Sequence, residues 1–195
     1  MRAALAPLAY APYPRYNWAT QLTEGDLPSM DSIVDALSAG RIIVCDGGMG
    51  TQLQARGLPA GTLPELWNVE RPDALRAIHR EYMRAGARIA TANTFGGNRA
   101  RLAAAGLADR LVELNRAGVA LSREAAEGRA WVAGDIGPTG ELLEPYGTLT
   151  VAAAEEMFRE QALVLAEAGA DLIMFVLMIR REERSTVVPN ARLFC

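Results

Sequence analysis

Residues 41 to 51 read Arg-Ile-Ile-Val-Cys-Asp-Gly-Gly-Met-Gly-Thr. An apolar run, Arg41 to Cys45, stops at an acid and a cluster of glycines, Asp46 to Gly50, and this predicts a buried strand followed by a tight turn. Thr51 to Arg56 then predicts a helix.

The same pattern recurs down the chain. Pro72 sits where the first turn of a helix tolerates it, and Leu75, Ile78, Tyr82 and Met83 recur at helical spacing up to Gly86. Ile89 to Ala92 predicts a second strand, with the polar, Gly-rich Asn93 to Asn98 as a loop at its carboxyl end. Arg99 to Gly128 predicts helix with a break at Gly106. Trp131 to Ala133 predicts a third strand, followed by a loop over Gly134 to Gly140. Thr150 caps a predicted helix through Ala168, Gly169 closes it, and Leu172 to Leu177 predicts a fourth strand. Gly57 to Asn68, with Pro59, Gly61 and Pro64, predicts a loop.

Strand, loop and helix repeated four times imply an α/β fold of about four parallel strands with right-handed crossovers and flanking helices. A closed eight-unit barrel takes about 250 residues, so this length predicts the N-terminal half of a (β/α)8 TIM barrel. We divide the chain into an irregular extension (1–30) containing Pro7, Pro12, Pro14 and Pro28, a partial barrel (31–178) and an unpatterned tail (179–195). Met30 is an alternative start of translation, and Asp31 a candidate N-cap for a short helix through Ala39.

Composition narrows the function. Of the 195 residues, 50% are hydrophobic and 22% charged, enough apolar material to bury a core. No run approaches the roughly 20 apolar residues of a membrane span, so no membrane partner is expected. A net charge of -3 gives no field that attracts a phosphate backbone, and nucleic acid is not an expected partner. All 20 cations are Arg, which excludes lysine chemistry. Two distant cysteines, Cys45 and Cys195, form no disulfide framework and favour a reducing cytoplasm. One histidine and two cysteines do not make a zinc site, so no metal ligand is predicted.

Active sites in such folds collect at the carboxyl ends of the strands. There, Asp46 is an acceptor, and the backbone N–H groups of Gly47 and Gly48 are available to a carboxylate or another anion. Asn93 and Thr94 supply short polar side chains from the second loop, and Asp135, Pro138 and Thr139 can shape a wall from the third. Turn formation alone is the competing reading for each loop. His79 is read as a packed or surface histidine, and Cys45 as a small buried hydrophobe.

Taken in order, Asp46-Gly47-Gly48-Met49-Gly50-Thr51, Asn93-Thr94-Phe95-Gly96-Gly97-Asn98 and Gly134-Asp135-Ile136-Gly137-Pro138-Thr139-Gly140 closely resemble the homocysteine S-methyltransferase family. Trp67-Asn68, His79-Arg80-Glu81-Tyr82, Phe158-Arg159-Glu160-Gln161 and Ala168-Gly169-Ala170-Asp171 extend the likeness over about residues 31 to 175. The resemblance implies an eight-unit barrel enzyme that transfers a methyl group to the thiol of homocysteine, giving methionine. The donor is of sulfonium, betaine or methylcobalamin type. It implies that Asp46 faces the substrate ammonium, that Gly47 and Gly48 face its carboxylate, and that Thr94 matches another substrate-contacting position.

The family's zinc, held by three cysteines of later strands, is expected for full-length members. Its ligands have no match here, and Cys195 corresponds to none of them. The family's fourth strand ends in Glu-Thr, where this chain has Val176-Leu177. These departures predict a truncated chain whose tail after Phe175 is the product of a premature stop, a reading-frame change or a gene-model error, with impaired catalysis and self-association through open barrel edges. The alternative is a non-enzymatic remnant, or a half-barrel that binds an amino-acid-like ligand or assembles with a separate second half.

Overall fold

The computed structural model describes residues 32–176. The predicted extension (1–30), the cap at Asp31, the end of the fourth strand at Leu177, the tail (179–195) and Cys195 lie outside the described residues. Helices α1 (Ile33–Ser38), α2 (Met49–Ala55), α3 (Trp67–Glu70) and α4 (Pro72–Arg84) precede strand β1 (Ile89–Thr91). Then follow α5 (Arg99–Ala104), α6 (Leu111–Ala126), β2 (Trp131–Ile136), α7 (Val151–Glu167) and β3 (Leu172–Phe175).

The strands form one parallel sheet in the order β1-β2-β3. Ala90 pairs with Val132 and Thr91 with Ala133, while Asp135 pairs with Met174 and Ile136 with Phe175. Helices stand between successive strands because parallel neighbours need a long crossover. Caps set their ends: Asn98 accepts from Arg101 N, and Thr150 from Ala153 N. Glycines in the left-handed region, Gly106 at φ 72° and Gly169 at φ 92°, follow the ends of α5 and α7.

The core is continuous from sheet to helices. Ala92, Val132 and Ile136 of the sheet side meet Val119 and Ala126 of α6 and Leu165 of α7. Phe158 and Phe175 close its edge in a T-shaped contact with centroids 6.1 Å apart. Leu53, Leu58, Trp67, Leu75 and Ile78 pack a second cluster around α2 and α4 against Leu121.

Several expectations change. The strand predicted over Arg41 to Cys45 is reduced to one isolated parallel bridge, Cys45 to Ile89, so the described sheet has three strands rather than about four. Val44 O still accepts from Arg88 N at 2.8 Å, and Asp46 N donates to Ile89 O at 3.1 Å. The segment therefore runs beside β1 but is not buried, with Ile42 82% and Val44 53% exposed. An apolar run becomes a buried strand only when something packs on it.

In the opposite sense, β2 runs three residues past its predicted end, because β3 offers hydrogen-bond partners to Gly134, Asp135 and Ile136. Gly134 suits this position, since a Cβ there would stand 3.0 Å from Leu165. The loop predicted through Asn68 contains a 3-10 turn at Pro64–Leu66 and the start of α3. Helix α1 is capped by Ser32, whose hydroxyl accepts from Val34 N at 3.2 Å.

Gly118, inside α6, sets two effects against each other. Helix propensity favours alanine over glycine by about 1 kcal/mol. A Cβ at this position would lie 2.8 Å from Thr94 Cγ2 and 2.9 Å from Asn68 Nδ2, in a fully packed region. Overpacking of this kind costs about 1–3 kcal/mol and outweighs propensity. Chemical denaturation of Gly118→Ala should therefore show a net loss of stability of up to about 2 kcal/mol; a stabilised variant would contradict the close approach of α6 to the Asn93 segment.

Candidate functional site

The carboxyl ends of β1 and β2 and the Asp46–Gly50 turn border one cavity of about 350 Å³. Asp46, Gly47, Gly48 and Asn93 all line it, so four of the five residues singled out in the sequence come together. Thr94 does not line it. Its buried hydroxyl donates to Asp135 O at 2.8 Å and accepts from Asp135 N at 3.0 Å, which ties the second loop to β2.

The second loop is held by buried side-chain amides. Asn93 Nδ2 donates to Pro64 O and to Asn68 Oδ1, both at 2.8 Å, while Asn68 Nδ2 donates back to Asn93 O. Asn115 on α6 donates to Gly97 O at 2.8 Å, and Gln161 on α7 donates to Thr94 O at 2.7 Å. Gly97 is required because a Cβ there would fall 2.5 Å from Asn115 Oδ1.

Asp46 sits at the end of the bridged segment, its side chain 1% exposed. Oδ2 accepts from Thr91 N at 2.8 Å, whereas Oδ1 is buried with no partner. Burial pushes its carboxyl up to about 6, against the lowering effect of the Thr91 bond. Gly47 fits under Tyr82, whose hydroxyl oxygen would be 2.9 Å from a Cβ at that position and donates to Gly48 O at 3.2 Å.

His79 stands behind Asp46, fully buried. Ser122 Oγ donates to Gly118 O at 3.0 Å, so at 3.2 Å it accepts from His79 Nε2–H, and the network assigns this tautomer. Nδ1 is then a bare lone pair 3.9 Å from Asp46 Oδ2, beyond hydrogen-bond reach. Burial lowers the imidazole to about 4, so it is neutral at pH 7 and does not form an ion pair with Asp46.

Two further carboxyls share the cavity. Glu65 was not singled out in the sequence, yet it is 1% exposed; Oε1 accepts from Gly96 N at 2.6 Å and Oε2 has no partner. Burial raises its pKa. The available signal was an acid enclosed by Pro64, Leu66 and Trp67, where a surface charge is out of place. Asp135, read as a wall residue, is raised to about 7 by burial and then by the charges of Asp46 and Glu65; its Oδ1 is also unpartnered. Arg101 lines the same cavity.

Cys45 corrects an expectation: it is exposed rather than buried, because its segment has no packed layer over it. Among the described residues no group of His, Cys, Asp and Glu gathers to hold a metal ion, and no helix is long and apolar enough to cross a membrane.

A parallel α/β sheet with a cavity holding three carboxyls at the carboxyl ends of its strands defines the class. The sequence pattern of the homocysteine S-methyltransferase family matches residues 43–192, and the chain belongs to that family. It is 38% identical over 156 residues to methionine synthase of Mycobacterium tuberculosis, covering 73% of this chain and 13% of that one. It is 30% identical to betaine–homocysteine S-methyltransferase 1 of Sus scrofa, covering 77% and 55%. The crystal structure of the metallated form of the homocysteine methyltransferase MmuM from Escherichia coli superposes with a TM-score of 0.62 at 30% identity, covering 74% of this chain and 57% of that one. The chain thus spans about half the length of the Sus scrofa enzyme and of MmuM, and a much smaller part of the methionine synthase.

The raised carboxyls leave a mark on stability. Asp46 and Asp135 have folded pKa values above their unfolded values near 3.8, so the folded state holds extra protons. Their favourable contribution is complete below about pH 4 and is lost as pH rises through about 6 and about 7. His79, depressed to about 4, acts oppositely and loses its contribution as pH falls below about 6.5. Asp135→Asn should therefore raise stability at pH 7.5 by about 1 kcal/mol or more and leave it little changed at pH 4. Urea denaturation at the two pH values measures both, and an equal effect at each would exclude the charge explanation.

Proposed function

We propose that the cavity is the amino-acid cradle of a homocysteine S-methyltransferase-like site, built on residues 31–178 as the N-terminal half of a β/α barrel. The observation that carries this reading is the meeting of Asp46, Gly47, Gly48 and Asn93 on one cavity, with Asp46 Oδ1 unpartnered, in a chain of this family. Asp46 takes the ammonium of homocysteine, the Gly47 and Gly48 backbone takes its carboxylate, and Asn93 closes the wall. Thr94 serves from behind by fixing that wall to β2. The thiol is methylated by a donor of sulfonium, betaine or methylcobalamin type, and the protein works in the cytoplasm.

Catalysis by this chain alone is slow in our reading. A free thiol has a pKa near 8.5 and is mostly protonated at neutral pH. The described donors do not fit the family's zinc, since no suitable cluster forms among them and Cys45 stands alone. Position 176, where the family's carboxylate stands, is valine.

A second reading, binding without turnover, is favoured by the apolar edge at Ile42 and Val44, which is suited to self-association or to a separate second half. Calorimetry with L-homocysteine under reducing conditions should give binding heat, and Asp46→Asn should weaken it about tenfold. Methionine formation with each of the three donor types should stay near background. Rapid turnover would refute the impairment, and no binding by the unmodified chain would refute the cradle.

A further inference from the structure

Three carboxyl groups line this cavity with oxygens that no atom of the described residues satisfies: Asp46 Oδ1, Glu65 Oε2 and Asp135 Oδ1. Glu65 is the informative one. Its Oε1 has a structural duty at Gly96 N, but a second oxygen buried without a partner costs free energy that a purely structural role does not require. The β3 side of the wall offers no acid, because Met174 and Val176 line it, and Val176 is 42% exposed.

We propose that Glu65 and Asp135 form, with Asp46, a receiving wall for an organic ammonium group, and that they supply the negative charge that Val176 does not. The inference rests on reading the cavity as an amino-acid cradle and names the residues that set its specificity for an amine. A metal ion is the poorer occupant, since these acids do not gather as a metal-holding group. An ammonium, with its three N–H donors, can be met by acceptors from more than one segment of the lining.

The electrostatics agree. Without a ligand, Asp46 and Asp135 are raised to about 6 and about 7, and Glu65 is raised as well. Arg101 lines the same cavity and its charge acts on Glu65, while neutral His79 stands behind Asp46. Binding a cation favours the ionised forms, so it expels protons.

The test is calorimetry on the full chain with three probes: L-homocysteine, 4-sulfanylbutanoate, which lacks the amine, and 3-aminopropane-1-thiol, which lacks the carboxylate. Titrations in phosphate and in Tris at pH 6.5 should differ in heat, reporting release of about one proton for each amine-bearing probe and none for 4-sulfanylbutanoate. Glu65→Gln and Asp135→Asn, checked for folding by circular dichroism, should each bind the amine-bearing probes about tenfold more weakly and 4-sulfanylbutanoate no more weakly.

Homocysteine binding that is unchanged in both variants and independent of buffer would overturn the proposal while leaving the cradle intact. Binding of the aminothiol, but not of homocysteine, with the predicted variant effects would support the wall and defeat the methyl-acceptor reading. Failure of both amines to bind the unmodified chain would overturn the wall. The buffer comparison needs no variant, so the proposal stays testable if Glu65→Gln does not fold.

Discussion

Gln161 reaches from α7 into the core to donate to Thr94 O and Asn115 Oδ1, and Asn115 in turn donates to Gly97 O from α6. The cavity wall formed by the Asn93–Asn98 segment depends on these buried amides. The Asn93–Asn98 segment has no regular pairing for most of its backbone, and a buried carbonyl left without a donor costs about 1–3 kcal/mol. Side chains from α3, α6 and α7 supply those donors instead. Asn93 thereby stays on the cavity, Thr94 is turned toward β2, and Gly96 N is presented to Glu65.

This network ties the second loop to α6 and α7. Asn115, Gly118 and Ser122 repeat at intervals of three and four on α6, so they lie along one face. Asn115 bonds the loop, Gly118 admits Thr94 and Asn68, and Ser122 accepts from His79. A helix face that looks polar in the sequence is buried because each of its groups has a designated partner.

Much of the fold was legible because helices and strands announce themselves by period. Helix α4 follows from Pro72 and the spacing of Leu75, Ile78 and Tyr82, and α7 from Thr150 and Gly169. The failures have physical causes. Arg41 to Cys45 carries the composition of a strand, but pairing on one side with an uncovered face leaves a single bridge. The β2 extension was hidden by Gly134 and Asp135, which read as turn residues until β3 supplies their partners. At the site, Asp46, Gly47, Gly48 and Asn93 were recognisable as a set by order and spacing. Glu65 was not, because its role depends on Gly96, thirty-one residues away, and no local pattern encodes that contact.

The acids also set a limit on how the site can be used. Raising Asp46 from 3.8 to about 6 corresponds to about 3 kcal/mol against its charged form, an order-of-magnitude measure of what burial withholds. His79 cannot relieve this, because its own burial keeps it neutral and its Nδ1 lone pair faces the carboxylate. Thr91 N relieves only one of the two oxygens. The fold therefore holds negative charge that burial keeps incompletely developed near neutral pH, and a cation entering the cavity would favour its ionised form. That arrangement destabilises the empty protein at neutral pH, and on the proposed amine-binding reading the same three carboxyls would favour the occupied state.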